Sequence, residues 1–469
     1  MNHHPEEKQP MADRPHSRLL AEFVSSFPVN DIPEPVLVRT RQSVLNAIAA
    51  ALSAATQPPI DRLIAVSRKL GETGESPLFG RSERTTLLSA ALINGFMAHY
   101  NDYDDTHLIT VFHTNSPVVP PALLLAADRH LSGTELWHSL ALGLEASMRF
   151  GVGMGPEHYD IGWHITGTAG TVGAALSCAR LMKLDALHTN YALGFSLTQA
   201  SGLRGQMFGT AAKGINAGSG SMNGLLSALL AEEGLDAAED AIEGKIAYAT
   251  AAAPKPQLDA ISDGLGKDWM VPDIAFKPYA SGVATHAAID SAIALRQKMG
   301  LTPSSTPAEV DAAIARLEKV DLTLPERYLH LPRGQEITAP LQAKFSSYNA
   351  VSLGFAIGRV GPKDFFQDIT VNPQLVGFRN VLKLVGEADL PKDASRIRAV
   401  LKDGSVLEHT VEHATGSKDR PMSDDDIRNK FMAASEDLLS PDAQNRLVDM
   451  TMNLDAVKDV AELVELTRI

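Results

Sequence analysis

Cysteine is nearly absent from this 469-residue chain, where Cys178 stands alone. A single thiol excludes a disulfide scaffold and a cysteine-cluster metal site. Basic residues are outnumbered, 42 Lys and Arg against 56 Asp and Glu, for a formal net charge of −14. That balance argues against general binding to nucleic acid or anionic lipid, which both need clustered cations. No apolar run approaches the ~20 residues that span a bilayer; Leu176 to Leu184 is broken by Arg180 and Lys183. Also missing are HExxH, the Walker loop, the G-x-S-x-G elbow and the dinucleotide fingerprint, and the histidines fall in separate segments, so no metal site is expected. The first 18 residues are polar, lack the apolar core of a secretory signal and read as a disordered leader. A cytoplasmic setting follows as the expectation.

What is present is a long helical signal. A length near three times a domain of ~150 residues predicts two or three packed units. From residue 19 to about 268, Ala, Leu and Gly dominate and apolar residues recur three and four apart, as at Val44, Ile48 and Leu52. After Trp269 the texture changes. Lys319 to Leu324 alternates as a half-buried strand does, and Arg396 to Val411 holds two alternating runs joined by Asp403-Gly404, a two-residue hairpin signal. Helical stretches lie between, at Ala284 to Met299 behind Thr285 and at Ala350 to Ile357. Ser423 followed by three aspartates caps a further helix. The expected fold is mainly α: an all-helical domain of residues 19–268 and 414–469, and a smaller α+β lid of residues 269–413.

Four polar islands interrupt the Ala-rich background. Asn101 to His107, closely followed by His113, packs three carboxylates into four positions; this is either a capping turn before Val118 to Ala127 or a binding loop, and it lacks the spacing of an EF-hand. Gly162 to Gly170 places His164 at a helix start, with Thr166 or Thr168 as cap. Ser201 to Gly218 is a Gly-rich turn presenting Arg204 and Lys213 ahead of a helix at Ser221 to Glu232, a combination that can hold an anion. Phe276-Lys277-Pro278-Tyr279, with Thr285, His286 and Asp290 behind it, sets a lysine beside an aromatic and a proline. What this inventory offers is acid–base chemistry by His, Lys, Asp and Tyr, with cations to hold an acidic substrate.

In this order the islands resemble the MmgE/PrpD family, which includes 2-methylcitrate dehydratase, cis-aconitate decarboxylase and iminodisuccinate epimerase. The marks are DYDDTH (102–107) with His113, GWHITGTAG (162–170), GT-x-x-K (209–213), KPY (277–279) with TH (285–286), AKFS (343–346) and RPMSDDDIRNKF (420–431). The resemblance implies a helical domain with a smaller lid, an active site between them that uses neither metal nor organic cofactor, and a homodimer. In the cis-aconitate decarboxylase branch, substrate-site positions fall on Asp102, Thr106, His113, His164, Lys213 and Lys277, with a tyrosine near Tyr348. The chain departs from that branch at Asn216 and Gly282, where the branch has histidines, and around His113, where His-Pro-Ser becomes His-Thr-Asn-Ser-Pro.

Taking a proton beside a carboxylate builds an enediolate, which preorganised cations stabilise best where solvent is excluded. Lys213, Lys277 and Arg204 are therefore assigned to substrate carboxylates, His113 and His164 to proton transfer, Asp102 to orienting a histidine, and Thr106, Tyr279 and Tyr348 to substrate binding. The expected activity is that of a cofactor-independent lyase on a small di- or tricarboxylate, foremost a 2-methylcitrate dehydratase-like hydro-lyase. A cis-aconitate decarboxylase-like or epimerase reaction in the same site is the alternative, and an inactive carboxylate-binding protein is the second.

Overall fold

The computed structural model describes residues 15–206, 209–330, 343–365 and 371–469. Of the leader expected over residues 1–18, residues 1–14 lie outside this description. The remainder is not disordered: it opens the His16–Ser26 helix, where the Ser17 hydroxyl donates to Glu243 at 2.8 Å.

The Ala-, Leu- and Gly-rich stretch folds into stacked helices, as its spacing predicts. Ile165–Leu181 is buried almost throughout and runs against Asn115–Asp128, Gly133–Gly153 and Ala212–Glu232. Small residues set these distances: a Cβ added at Gly224 would lie 2.7 Å from the Thr171 carbonyl oxygen, so the two backbones nearly touch. The helix expected from Ser221 starts earlier, at Ala212, which puts Lys213 in its first turn rather than in a loop. The glycines that suggest a turn there are contact points. A Cβ at Gly214 would sit 2.7 Å from the Phe96 ring on the Leu87–Tyr100 helix.

The chain returns to this core at its end. Ser423 caps the Asp424–Ser435 helix, its hydroxyl accepting from the Asp426 N–H at 3.1 Å. Ile427 and Phe431 then join Val44 and Ile48 in one apolar cluster. Between these passages lies a second core, around Leu295, Leu322, Val351, Phe355 and Ile397. Its four-stranded sheet has the order Leu382–Glu387, Leu317–Pro325, Ser395–Leu401, Val406–Val411; the first pair is parallel and the others antiparallel. The Asp403-Gly404 hairpin forms with a loop of residues 402–404 rather than two residues: Leu401 N–H bonds the Ser405 carbonyl at 2.9 Å, and Gly404 takes φ +83°. Thr285 holds the cap position of the His286–Lys298 helix, but its hydroxyl donates back to Gly282.

A short ladder joins the two parts. Asp105–His107 pairs antiparallel with Ile274–Phe276, matching Asp105 to Phe276. Val271, Ile274 and Phe276, expected with the lid, consequently pack in the larger core. Among the described residues, no helix is long and apolar enough to cross a membrane.

Candidate active site

Three carboxylates crowded together cannot extend the Leu87–Tyr100 helix, so the chain turns at Asn101. Asp102 adopts φ +55°, a left-handed conformation that aspartate tolerates better than most residues. Asp105 then enters the ladder opposite Phe276, which brings Lys277 alongside; its N–H donates to the Asp104 carbonyl at 3.2 Å. The side chains follow the backbone. Lys277 Nζ lies 2.9 Å from Asp102 Oδ1 and 3.6 Å from Asp104 Oδ1. Lys213 reaches the same Asp102 oxygen at 2.9 Å from the Ala212–Glu232 helix. All four side chains are buried. Burial alone would raise the Asp102 pKa, but the two ammonium groups hold it well below the usual carboxylate range.

The capping and binding readings of the Asn101 to His107 island both find a counterpart. Asp105 accepts from the Thr114 and Asn115 N–H groups, each at 2.9 Å, and so caps the Asn115–Asp128 helix. Its neighbours serve the charged cluster instead. Asp104 Oδ2 is 2.6 Å from both His99 Nδ1 and Ser116 Oγ.

The imidazoles gather around this pair of carboxylates. His113 Nδ1 lies 2.6 Å from the Asp105 carbonyl oxygen, an acceptor only, so that nitrogen carries a proton and Nε2 keeps its lone pair. Thr106 Oγ1 donates to the same carbonyl and stands 3.4 Å from His113 Nδ1. His164 occupies the cap position of Ile165–Leu181, and its Nδ1 meets Asn216 Nδ2 at 2.9 Å. Thr166 and Thr168 are therefore not caps: Thr166 accepts from the His113 N–H, and Thr168 pairs with His158. The His113 and His164 ring centroids are 6.5 Å apart, with His99 at 4.9 and 5.5 Å from them. Burial, reinforced by Lys277, pushes His113 down to about 3. Burial and the neighbouring imidazoles likewise lower His164, so both rings are neutral at pH 7 in the free protein.

A cavity of about 540 Å³ opens over these groups. Asp102, Thr106, His113, His164 and Lys277 line it, and Lys213 stands behind Asp102. Leu108, Val111, Val283 and Phe345 give it apolar wall as well, and Lys392 and Lys418 also line it. Besides Lys213, three of the anticipated residues do not line it. The Arg204 guanidinium sits over the Tyr159 ring, 4.4 Å from the centroid, and donates to the Tyr159 carbonyl. The Tyr279 hydroxyl donates to Asp290, and Tyr348 packs against the smaller core.

The sequence reading gave no site role to several others. His99 looks like one more helix residue until the turn folds Asp104 back onto it; its only signal is the five-residue spacing. His286 lines the cavity, fixed by Nε2 at 3.2 Å from the Ser281 carbonyl. Lys344 donates to the Asn101 and Ala280 carbonyls, and Lys430 to the Tyr103 and Lys277 carbonyls; burial lowers each to about 7.

Although the histidines fall in separate segments of the sequence, His99, Asp104 and His113 place potential ligand atoms within 4.8 Å of one another. Their bonding does not suit a cation. His113 Nδ1 points a proton, Asp104 Oδ2 already accepts two hydrogen bonds, and the Lys277 ammonium stands 3.6 Å from Oδ1. A second group, Asp393, His413 and Asp419, is more open to solvent and lies beside Lys392 and Lys418.

Two family models cover nearly the whole sequence: the MmgE/PrpD N-terminal domain matches residues 18–260 and the MmgE/PrpD C-terminal domain residues 279–456. The chain belongs to the MmgE/PrpD family. Among its relatives in that family is the cis-aconitate decarboxylase-like protein oryM of Aspergillus oryzae, 24% identical over 95% of this chain and 96% of the relative. Cis-aconitate decarboxylase of Aspergillus terreus is 24% identical over 95% of this chain and 94% of its own. The Mus musculus cis-aconitate decarboxylase matches at 24% over 96% and 92%. For an MmgE/PrpD chain, a mainly α fold with a smaller α+β part is the architecture the sequence led us to expect.

Proposed function

We propose that this MmgE/PrpD protein is a lyase that decarboxylates a small unsaturated polycarboxylate of the cis-aconitate type. The relatives matched along almost the entire chain bear that name, and they favour decarboxylation over the dehydratase reading placed first from sequence. The observation that carries the proposal is the convergence, in one cavity, of two neutral imidazoles with Lys277, whose partner carboxylate Asp102 also holds Lys213.

The chemistry follows from those groups. A trianionic substrate docks its carboxylates against the Lys277 ammonium, with Lys213 adding positive potential from behind Asp102. Its negative charge raises the proton affinity of His113, whose Nε2 takes up a proton on binding. The bond to the departing carboxylate breaks and carbon dioxide leaves. The released electron pair forms a new double bond while the old one shifts its electrons toward the neighbouring carboxylate. Lysine ammonium groups and the His164 ring stabilise that enediolate, and His113 delivers its proton to the carbon. The residues of this chain thus supply charge, orientation and one proton. We also propose, from the family resemblance, a cytoplasmic homodimer built from the two domains outlined above.

The test is to follow cis-aconitate, citrate and 2-methylcitrate with the purified protein by NMR in deuterated water. Carbon dioxide release with one deuterium in an allylically shifted product is the expected result. Water loss from 2-methylcitrate without decarboxylation of cis-aconitate would restore the dehydratase reading, and binding without turnover would favour a carboxylate-binding protein.

A further inference from the structure

We propose that Asn216 is a positioning residue that holds His164 in the tautomer with its proton on Nε2, so that one imidazole offers the bound polyacid a hydrogen while His113 offers a lone pair. The inference rests on the proposed lyase reaction for its catalytic meaning, but not for its geometry.

The amide nitrogen of Asn216 meets His164 Nδ1 at 2.9 Å, and the same nitrogen faces the Leu203 carbonyl at 3.5 Å. A carbonyl oxygen only accepts, so the NH₂ end must be the end that points there. His164 Nδ1 is consequently the acceptor, and the ring proton resides on Nε2. The arrangement is built rather than incidental. Asn216 follows Lys213 by one turn on the same helix, so the element that presents an ammonium to Asp102 also presents this amide to His164. Gly202 stands against the amide on its other side: a Cβ there would lie 3.1 Å from both Cγ and Oδ1, and its φ of +124° already demands glycine. The Gly202 carbonyl accepts the His164 N–H at 2.9 Å, which fixes the backbone of the same histidine.

His113 has the opposite arrangement, with Nδ1–H held by the Asp105 carbonyl. Two neighbouring imidazoles in opposite tautomers divide the work. The last proton of a neutral imidazole is too weakly acidic to leave, so His164 acts as a fixed hydrogen-bond donor to the developing oxyanion, as neutral electrophilic histidines do elsewhere. His113, free at Nε2, carries the mobile proton. Asn216 thus sets a tautomer from a position where the decarboxylase branch has a histidine.

The experiment compares wild type with Asn216→Asp, a change of nearly equal shape that puts an acceptor where a donor was. In ¹⁵N-labelled protein, with the His164 signals assigned by their loss in His164→Gln, the wild-type ring should show the Nε2–H pattern and Asn216→Asp the Nδ1–H pattern. Turnover of cis-aconitate should fall on the order of 10²-fold in kcat, with KM within a few-fold. His164→Gln, which keeps a donor near the Nε2 position, should retain at least tenfold more activity than His164→Ala. An Nδ1–H pattern in the wild type overturns the assignment, as does an Asn216→Asp enzyme that flips the tautomer yet keeps kcat within threefold. If the wild type turns over no polycarboxylate, the lyase reading fails, while the NMR comparison still decides what Asn216 does to His164.

Discussion

The Lys430 ammonium donates to the main-chain carbonyl of Lys277 at 2.8 Å, although the two residues are 153 positions apart. It also bonds the Tyr103 carbonyl and Asn46 Oδ1, each at 2.6 Å. One buried side chain on the returning Asp424–Ser435 helix thereby ties together the two backbones that carry Asp102 and Lys277. The Asp424–Ser435 helix is part of the site's frame, although none of its residues lines the cavity.

Replacing Lys430 with Met keeps most of the stem's volume and removes every donor. Three buried acceptors lose their partner at once, at a cost of about 1–3 kcal/mol for each buried group left unsatisfied. We expect Lys430→Met to lose about 3 kcal/mol or more in denaturant unfolding, and the folded fraction to show a lower kcat. Wild-type stability in this variant would mean that the three carbonyl contacts contribute nothing.

Asp102 presents the converse case, one carboxylate between two lysines. In Asp102→Asn the Lys213 and Lys277 ammonium groups remain buried together with Asp104 as their nearest counter-charge. Removing one partner from a buried ion pair costs about 3–5 kcal/mol. The expected result is a destabilisation of that order. Both lysines should also titrate lower than in the wild type, which chemical modification at their amines would register as faster labelling near pH 8. Unchanged labelling would show that Asp102 does not govern the lysines.

At Gly282 the backbone φ of −56° is open to any residue, and an added Cβ would come no closer than 3.4 Å to Phe345. Gly282→His should therefore fold with stability within about 1 kcal/mol of wild type, as neutral surface and cavity-wall changes usually do. Placed on the wall of the cavity that Lys277 also lines, the new ring adds a titrating group, and the pH–rate profile should gain an inflection near its ordinary value of ~6.5. A profile superimposable on wild type would place position 282 outside the reaction.

Much of this architecture was legible in the residues themselves. Local rules decide the Ser423 cap and the alternating strand at Lys319 to Leu324, and both appear, while the hairpin at Asp403-Gly404 forms with a longer loop than the two-residue signal. The start of the helix at Ala212 was not, because Gly214 and Gly218 read as turn residues unless Phe96 and its helix are known to press against them. The motifs named His113, His164, Lys213 and Lys277, which the fold brings together around Asp102 and Asp104. They contained His286 and Lys430 but gave neither a site role, and they left out His99, because the turn that folds Asp104 back and the returning helix that carries Lys430 decide those contacts. Arg204 illustrates the reverse: a cation in a polar island has no address until Tyr159 is placed beneath it.

The last prediction concerns pH and follows from the crowd of buried imidazoles. Burial lowers His113 and His286 to about 3 and His107 to about 4, and it also depresses His99 and His164. Each would titrate near 6.5 in the unfolded chain. Between the folded and unfolded values the unfolded state binds more protons, so stability is fully present above pH 6.5 and is lost as pH falls toward 3. Asp102 and Asp104 add to the loss only below their own unfolded value near 3.9, because ion pairing depresses them in the fold. Denaturant midpoints should therefore drop between pH 6.5 and 4.5, before carboxylate titration dominates. The slope should reach several kcal/mol per pH unit if most of these rings resist charging, at ~1.4 kcal/mol per proton. His286→Gln, which keeps a donor toward the Ser281 carbonyl and cannot titrate, should flatten that slope by about one proton. A midpoint constant from pH 7 to pH 5 would show that the rings charge inside the fold without penalty, and the neutral-imidazole basis of the proposed proton transfer would fall with it.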